Sequence, residues 1–263
     1  MKTRPYKLIG ELMNNSFARA RKAWEARDLA AYQHLARIQT DLGADFLTLN
    51  IDGTQRVQVK MEEMLEFLPS LIKAVQEVTS VPLSFDNPAV IYHQVALQHY
   101  DRSISGAPIL NSVAASRDDL DEMIGLAKEH DTNVIVMASE KFVEGGGAQC
   151  LRAGEIHETA RRFTEMLVER ADRSTDQIII DPGLAPVSAD TYGLVNLSLD
   201  GMQLISEDPD MKGVHLSVGL TNFSFGVPPK IRTALENAYV TLAMERGLDF
   251  VLGNPEKELS TLE

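Results

Sequence analysis

A short apolar run with a polar junction recurs eight times along the chain, seven times followed by an amphipathic stretch, at intervals of roughly 30 residues, the size of a βα unit. The apolar runs cover 7–11, 44–50, 81–86, 108–111, 133–137, 177–181, 213–218 and 248–252. Between them, helical spacing predicts helices over 17–42 (with a break near Asp28), 60–78, 89–100, 117–130, 153–171, 197–206 and 231–246. Such strict alternation predicts an all-parallel α/β architecture. Eight units in about 250 residues match a closed (β/α)8 barrel as a single domain over 1–263. The competitor is a doubly wound open sheet. The count of eight and the lack of Gly-x-Gly-x-x-Gly after the first strand favour the barrel. Only 253–263 follow the last strand, so the last helix is expected to be short or missing. Either a partner subunit covers that side or the chain stops early.

The run Ile178-Ile179-Ile180-Asp181-Pro182-Gly183 shows what the junctions carry. Three β-branched residues read as a strand buried on both faces. It delivers a carboxylate to its C-terminal end, where parallel α/β folds bind ligands. A turn-capping Asp is the other reading. The remaining junctions repeat the pattern. The first strand ends in Glu11, with Asn14 and Asn15 close behind. Later strands end in Asn50, in Asp86-Asn87 and in Asn111-Ser112, and the seventh is followed by Asn222 and Ser224. Amides and carboxylates at one barrel face suit a flat heterocycle with both donors and acceptors. A carboxylate accepts two parallel N–H bonds from an aminopyrimidinone edge. Asn and Asp also favour loops for local reasons, which explains one or two positions more readily than six.

Other chemistries find less support. The net charge of −13 argues against a nucleic-acid footprint and against docking to an anionic membrane. Cys150 is the only cysteine, so no intrachain disulfide can form, as expected in a reducing cytoplasm. No signal peptide or membrane-length apolar run is visible. The six histidines lack metal-binding spacing, and no metal site is expected. Cys150 reads as an incidental thiol. Gly145-Gly146-Gly147 lacks the Gly-Lys-Ser/Thr of a phosphate loop and reads as a flexible loop, a lid or a docking surface. Ser116 is the expected N-cap of the 117–130 helix. Met61 and Met64 read as core, and Trp24 as core or interface.

The ordered set Ile9-Gly10-Glu11, Leu47-Thr48-Leu49-Asn50, Phe85-Asp86-Asn87, Ile109-Leu110-Asn111-Ser112, Ile180-Asp181-Pro182 and Val218-Gly219-Leu220-Thr221-Asn222-Phe223-Ser224 resembles the pterin-binding TIM-barrel family. That family includes dihydropteroate synthases and methyltetrahydrofolate:corrinoid protein methyltransferases. The synthase branch carries Asn-x-Thr-x-Asp-Ser-Phe after strand one and Ser-Arg-Lys near strand seven, and neither is present. Gly219 to Ser224 is instead similar to the Gly-Leu-Ser-Asn-x-Ser of the corrinoid methyltransferases. The resemblance implies methyl transfer between N5 of tetrahydrofolate and the cobalt of a corrinoid carried by a partner protein. It implies that Asp86, Asn111 and Asp181 hold the pterin, with Glu11, Asn50 and Ser224 completing the pocket. Gly219 would admit the ligand close to backbone, and Asn222 would be the catalytic hydrogen-bonding group near N5. A homodimer is implied as well. Phe225 departs from the family, whose members carry an amide there. A dihydropteroate synthase-like enzyme and a non-catalytic folate-binding module are the alternatives.

Overall fold

The structure is a computed structural model and describes residues 4–257. In chain order it contains β1 (Lys7–Asn14), α1 (Ala18–Ala26), α2 (Leu29–Asp41), β2 (Phe46–Asn50), α3 (Met61–Gln76), β3 (Leu83–Asp86) and α4 (Val90–His99). Then come α5 (Arg102–Ser105), β4 (Ile109–Ala114), α6 (Leu120–Glu129), β5 (Asn133–Met137), β6 (Glu140–Val143), β7 (Gly146–Gln149) and α7 (Ala153–Ala171). The rest is β8 (Ile178–Asp181), α8 (Leu194–Glu207), β9 (His215–Gly219), α9 (Leu220–Phe223), α10 (Pro229–Met244) and β10 (Phe250–Gly253). Eight of the strands close a barrel in the order β1-β10-β9-β8-β5-β4-β3-β2. Every pairing in it is parallel. The chain is therefore a (β/α)8 barrel.

Successive strand side chains face opposite ways, and the core shows which way is which. Ile9, Ile109, Ile135, Ile179 and Phe250 form their own buried cluster and fill the barrel. Leu8, Leu47, Leu83, Val134, Ile178, Ile180 and Val218 belong instead to the large cluster between strands and helices. The helices supply its other half. On α3, Met64, Leu68, Leu71, Ile72 and Val75 make one buried stripe at helical spacing. On α7, Ile156, Ala160, Phe163, Leu167 and Ala171 do the same. Met61 is the first residue of α3 and is 38% exposed, so only Met64 of that pair is core. Trp24 is core, packed edge-on against Phe67 beneath the Arg27 guanidinium.

The expected break near Asp28 is present. Arg27 is left-handed, with φ 51°, and Asp28 caps α2 by accepting from the Ala31 N–H. Three details differ from the sequence reading. Strand β1 runs on to Asn14, because a bulge between Gly10 and Met13 lets it keep pairing with β2. Helix α6 starts at Leu120, and Ser116 does not cap it. Arg117 binds the Asp119 carboxylate and holds 117–119 in a turn ahead of the helix. The glycine tract is no open loop. It is the corner of the antiparallel β6–β7 hairpin, with Gly145 at φ 83° and Gly146 at φ 143°. Phe142 of that hairpin stacks on Phe163, with the Arg162 guanidinium 3.9 Å from its ring centre. Lys141 pairs with Glu155.

Residues 255 and 256 form a turn after β10, and the rest of the segment where an eighth helix was sought lies outside the described residues. Among the described residues, no helix is long and apolar enough to cross a membrane.

Candidate active site

Strand phase places the junction residues. Ile179 points into the barrel, so Asp181 does too, two residues on. By the same period Ile9 leads to Glu11, Ile109 to Asn111, Phe46 to Thr48 and Asn50, and Ser84 to Asp86. Register then aligns the ends of neighbouring strands. Asn14 pairs with Asn50, Asp86 with Asn111, and Met137 with Asp181. Of the predicted set, Glu11, Asn50, Asp86, Asn111 and Asp181 thus face the C-terminal mouth of the barrel. Thr48 and Ser84 lie directly beneath, paired in register and fully buried.

The carboxylates are held in apolar surroundings with few donors. Asp86 accepts one hydrogen bond from the Asn50 amide at 3.1 Å. Burial raises its pKa, partly opposed by that bond, and the nearby Asp52 charge raises it further. Asp181 accepts from the Gly183 N–H at 2.8 Å, and burial pushes it up to about 6. Glu11 accepts from the Thr221 hydroxyl. Burial lifts it to about 7; Thr221 and the Lys257 charge pull down, while Glu236 and Asp86 push up. An ionised carboxyl lacking donors is poised to accept N–H groups from a ligand, which would bring its pKa back down.

Beside Asp86 and Asn111 opens a cleft of about 540 Å³, bordered by Asn87, Ser112 and Arg117. The Asn111–Ser112 peptide bond at its base is cis. Arg117 ties its walls together by donating to the Pro88 and Ser112 carbonyls. His93 supports Asn87 from below through its Nε2, 2.8 Å from the Asn87 carbonyl. Burial lowers its pKa to about 4, so near neutral pH the ring is uncharged and that nitrogen carries the proton.

On the next strand Gly219 leads straight into the four-residue α9. Asn222 is exposed, and its amide nitrogen lies 3.1 Å from where a β-carbon on Gly219 would sit. Ser224 faces the other way. It is buried and donates to Glu236 Oε1 at 2.5 Å. Asn15 is also turned inward, donating to the Asp52 carbonyl.

Sequence reasoning overlooked Glu236 and Lys257, which pair at 2.7 Å behind α9. A signal existed. Glu236 occupies the apolar stripe of α10 with Tyr239, Val240 and Ala243, a place where a carboxylate is out of character. Cys150 is buried and burial raises its pKa, which makes it a poor nucleophile. No group of residues suited to hold a metal ion occurs among the described residues.

The profile of the pterin binding enzyme family matches residues 12–252. In sequence the chain is similar to the methionine synthases of Mycobacterium leprae and Mycobacterium tuberculosis, 25% identical to each over 262 residues. The match covers 96% of this chain and 20% of those proteins, so the chain spans about a fifth of the length of the curated relatives it matches. In fold it is similar to the 7,8-dihydropteroate synthase of Vibrio fischeri, with a TM-score of 0.64 and 19% identity over 94% of this chain and 86% of that one. The dihydropteroate synthase of Coxiella burnetii, solved with pteroic acid, gives 0.63 and 18% over 96% and 88%.

Proposed function

The chain belongs to the pterin binding enzyme family, and we propose that it moves a methyl group between N5 of a tetrahydrofolate and the cobalt of a corrinoid carried by a partner protein. One observation carries the choice of reaction. The turn after β9 presents an exposed amide, Asn222, over Gly219, and no lysine or arginine occurs from Gly219 to Pro229. A pyrophosphate-releasing synthase needs cations to receive its leaving group. A methyl transfer from nitrogen needs a hydrogen-bond donor there.

In the forward direction, the bond from the methyl carbon to N5 breaks as the bond to the cobalt acceptor forms. The electron pair of the broken bond stays on N5, which takes up a proton. N5 is weakly basic, so a hydrogen bond that strengthens as negative charge develops is the effective aid. Asn222 is a neutral donor suited to this. Asp86, Asn111 and Asp181 grip the aminopyrimidinone edge, with Asn50 orienting Asp86. Glu11 and Ser224 support the wall that carries Asn222. The barrel's contribution is orientation and exclusion of water. By the same family likeness, two copies form a dimer.

Dihydropteroate synthesis is the second reading, favoured by the fold likeness to those synthases. Mixing the protein with methyltetrahydrofolate and Co(I) cobalamin, and following the cobalt absorption, tests the proposal. Loss of the Co(I) spectrum at an enzyme-dependent rate supports it. An unchanged spectrum, with turnover of p-aminobenzoate and a dihydropterin pyrophosphate, would establish the synthase instead. Folate binding without either reaction would leave a binding module.

A further inference from the structure

Helix α9 has four residues, too few to hold its own shape in water, because nucleating a helix is unfavourable. The turn that projects Asn222 must be fixed by its surroundings. Asn222 does not fix itself: it is exposed, and no described residue hydrogen-bonds its amide. Two neighbouring hydroxyls do the work. Thr221 donates to Glu11 of β1, and Ser224 donates to Glu236 of α10. Lys257, beyond β10, binds the same Glu236 oxygen at 2.7 Å. Asn222 is thereby bracketed by carboxylates from two different elements.

Glu236 is costly where it stands. Its side chain is 1% exposed, and its second oxygen, Oε2, has no partner among the described residues. Replacing a buried ion pair such as Glu236–Lys257 by apolar residues of similar volume is often neutral or stabilising. Tyr239, Val240 and Ala243 of the buried face of α10 are ordinary core side chains and Asn237 is a neutral amide, so Glu236 is the acidic residue among them. Folding alone therefore gives little reason for a carboxylate there.

The geometry points to Glu236, held by Lys257, as a positioning residue that aims Asn222 through Ser224. This rests on the catalytic reading of Asn222 given above. Glu236 touches no substrate; it sets the direction of the turn that does.

The test follows the side-chain amide resonance of Asn222 in the folate-bound protein, together with methyl transfer to Co(I) cobalamin. Glu236→Leu is expected to shift that resonance and to lower kcat roughly tenfold or more, as for a small misplacement of a catalytic group. The folate Kd stays within about twofold, since the pterin-gripping strands are untouched. Ser224→Ala, which deletes only a hydroxyl, gives the same pattern. Glu236→Gln keeps an acceptor for Ser224 and restores most of the resonance position and the rate. The inference is overturned if Ser224→Ala leaves resonance and kcat as in the parent, or if Glu236→Gln is no better than Glu236→Leu. Should Glu236→Leu fail to fold, Ser224→Ala decides. If the parent protein transfers no methyl group, the methyl-transfer reading falls, while the resonance alone still supports or overturns the positioning role.

Discussion

The Asn222 amide nitrogen occupies space that a β-carbon on Gly219 would crowd, at 3.1 Å. Gly219 has φ −80°, a conformation open to any residue, so glycine is needed here for room and not for backbone freedom. Gly219→Ala should fold with stability within about 0.5 kcal/mol of the parent. Its added methyl pushes the amide aside. Transfer from methyltetrahydrofolate should fall, and Asn222→Ala should fall by about 10²-fold, with folate still bound in both. Stopped-flow absorbance with a parallel binding titration measures this. A Gly219→Ala enzyme at full rate would show that the amide's present position is irrelevant to turnover.

Asp181 predicts a pH-dependent affinity. Burial holds its pKa at about 6 in the free protein. N–H donors from a pterin favour the ionised form, so its pKa drops in the complex and protons compete with ligand. Affinity should be full above about pH 6 and weaken progressively below it. Asp181→Asn removes a charge-assisted pair and should cost roughly 10- to 100-fold in Kd near pH 7. That variant should also lose most of the acid limb. Calorimetric titration from pH 5 to pH 8 separates the outcomes; an unchanged acid limb would take Asp181 out of the pterin site.

Glu11 predicts a pH-dependent stability of the opposite kind from an ordinary paired carboxylate. Its pKa rises from 4.5 to about 7 on folding. Between these values the native state holds the proton and the unfolded chain does not, so stability falls as pH rises. The contribution is whole below about pH 4.5 and gone above about pH 7. A shift of that size is worth on the order of 3 kcal/mol. Glu11→Gln keeps an acceptor for Thr221 and carries no charge. Urea melts should show it gaining on the parent as pH goes from 5 to 8, and a constant difference across that range would contradict the assignment.

Gly147 predicts a purely structural effect. A β-carbon there would come within 2.6 Å of the Ser116 backbone nitrogen. Backbone cannot swing away as a side-chain tip can. Gly147→Ala should therefore destabilise the protein by about 1–3 kcal/mol, the usual cost of overpacking. Denaturation midpoints test this, and an unchanged midpoint would mean that the hairpin does not press on the 114–117 segment.

The architecture was legible because it is written in short-range pattern. Three successive β-branched residues, Ile178 to Ile180, favour a doubly buried strand, and period two then places Asp181 on the face of Ile179. Asn50, Asp86 and Asn111 follow by the same count. What escaped was the choice of side-chain partners and turn geometry, distant and local alike. Nothing near Ser224 announces that its hydroxyl meets Glu236 on the next helix. Nothing near Ser116 tells that Arg117 and Asp119 will pair and delay the helix to Leu120. Glycines at 145–147 signal a break in regular structure, but a hairpin corner and an open loop share that signal.

The phase of β8 has one more consequence. Ile179 and Asp181 share the inward face, so a one-residue slip would bury Asp181 among the helices and thrust Ile180 into the mouth. Core and barrel mouth fail together, which leaves substitution little freedom in the strand. Asn222 stands outside that lock, on a brief turn beyond Gly219. The strand is locked by its phase, whereas the turn is tied by two side-chain hydrogen bonds, Thr221 to Glu11 and Ser224 to Glu236. Substitutions at Thr221 or Ser224 can therefore re-aim the turn without moving a side chain of β8 to the wrong face.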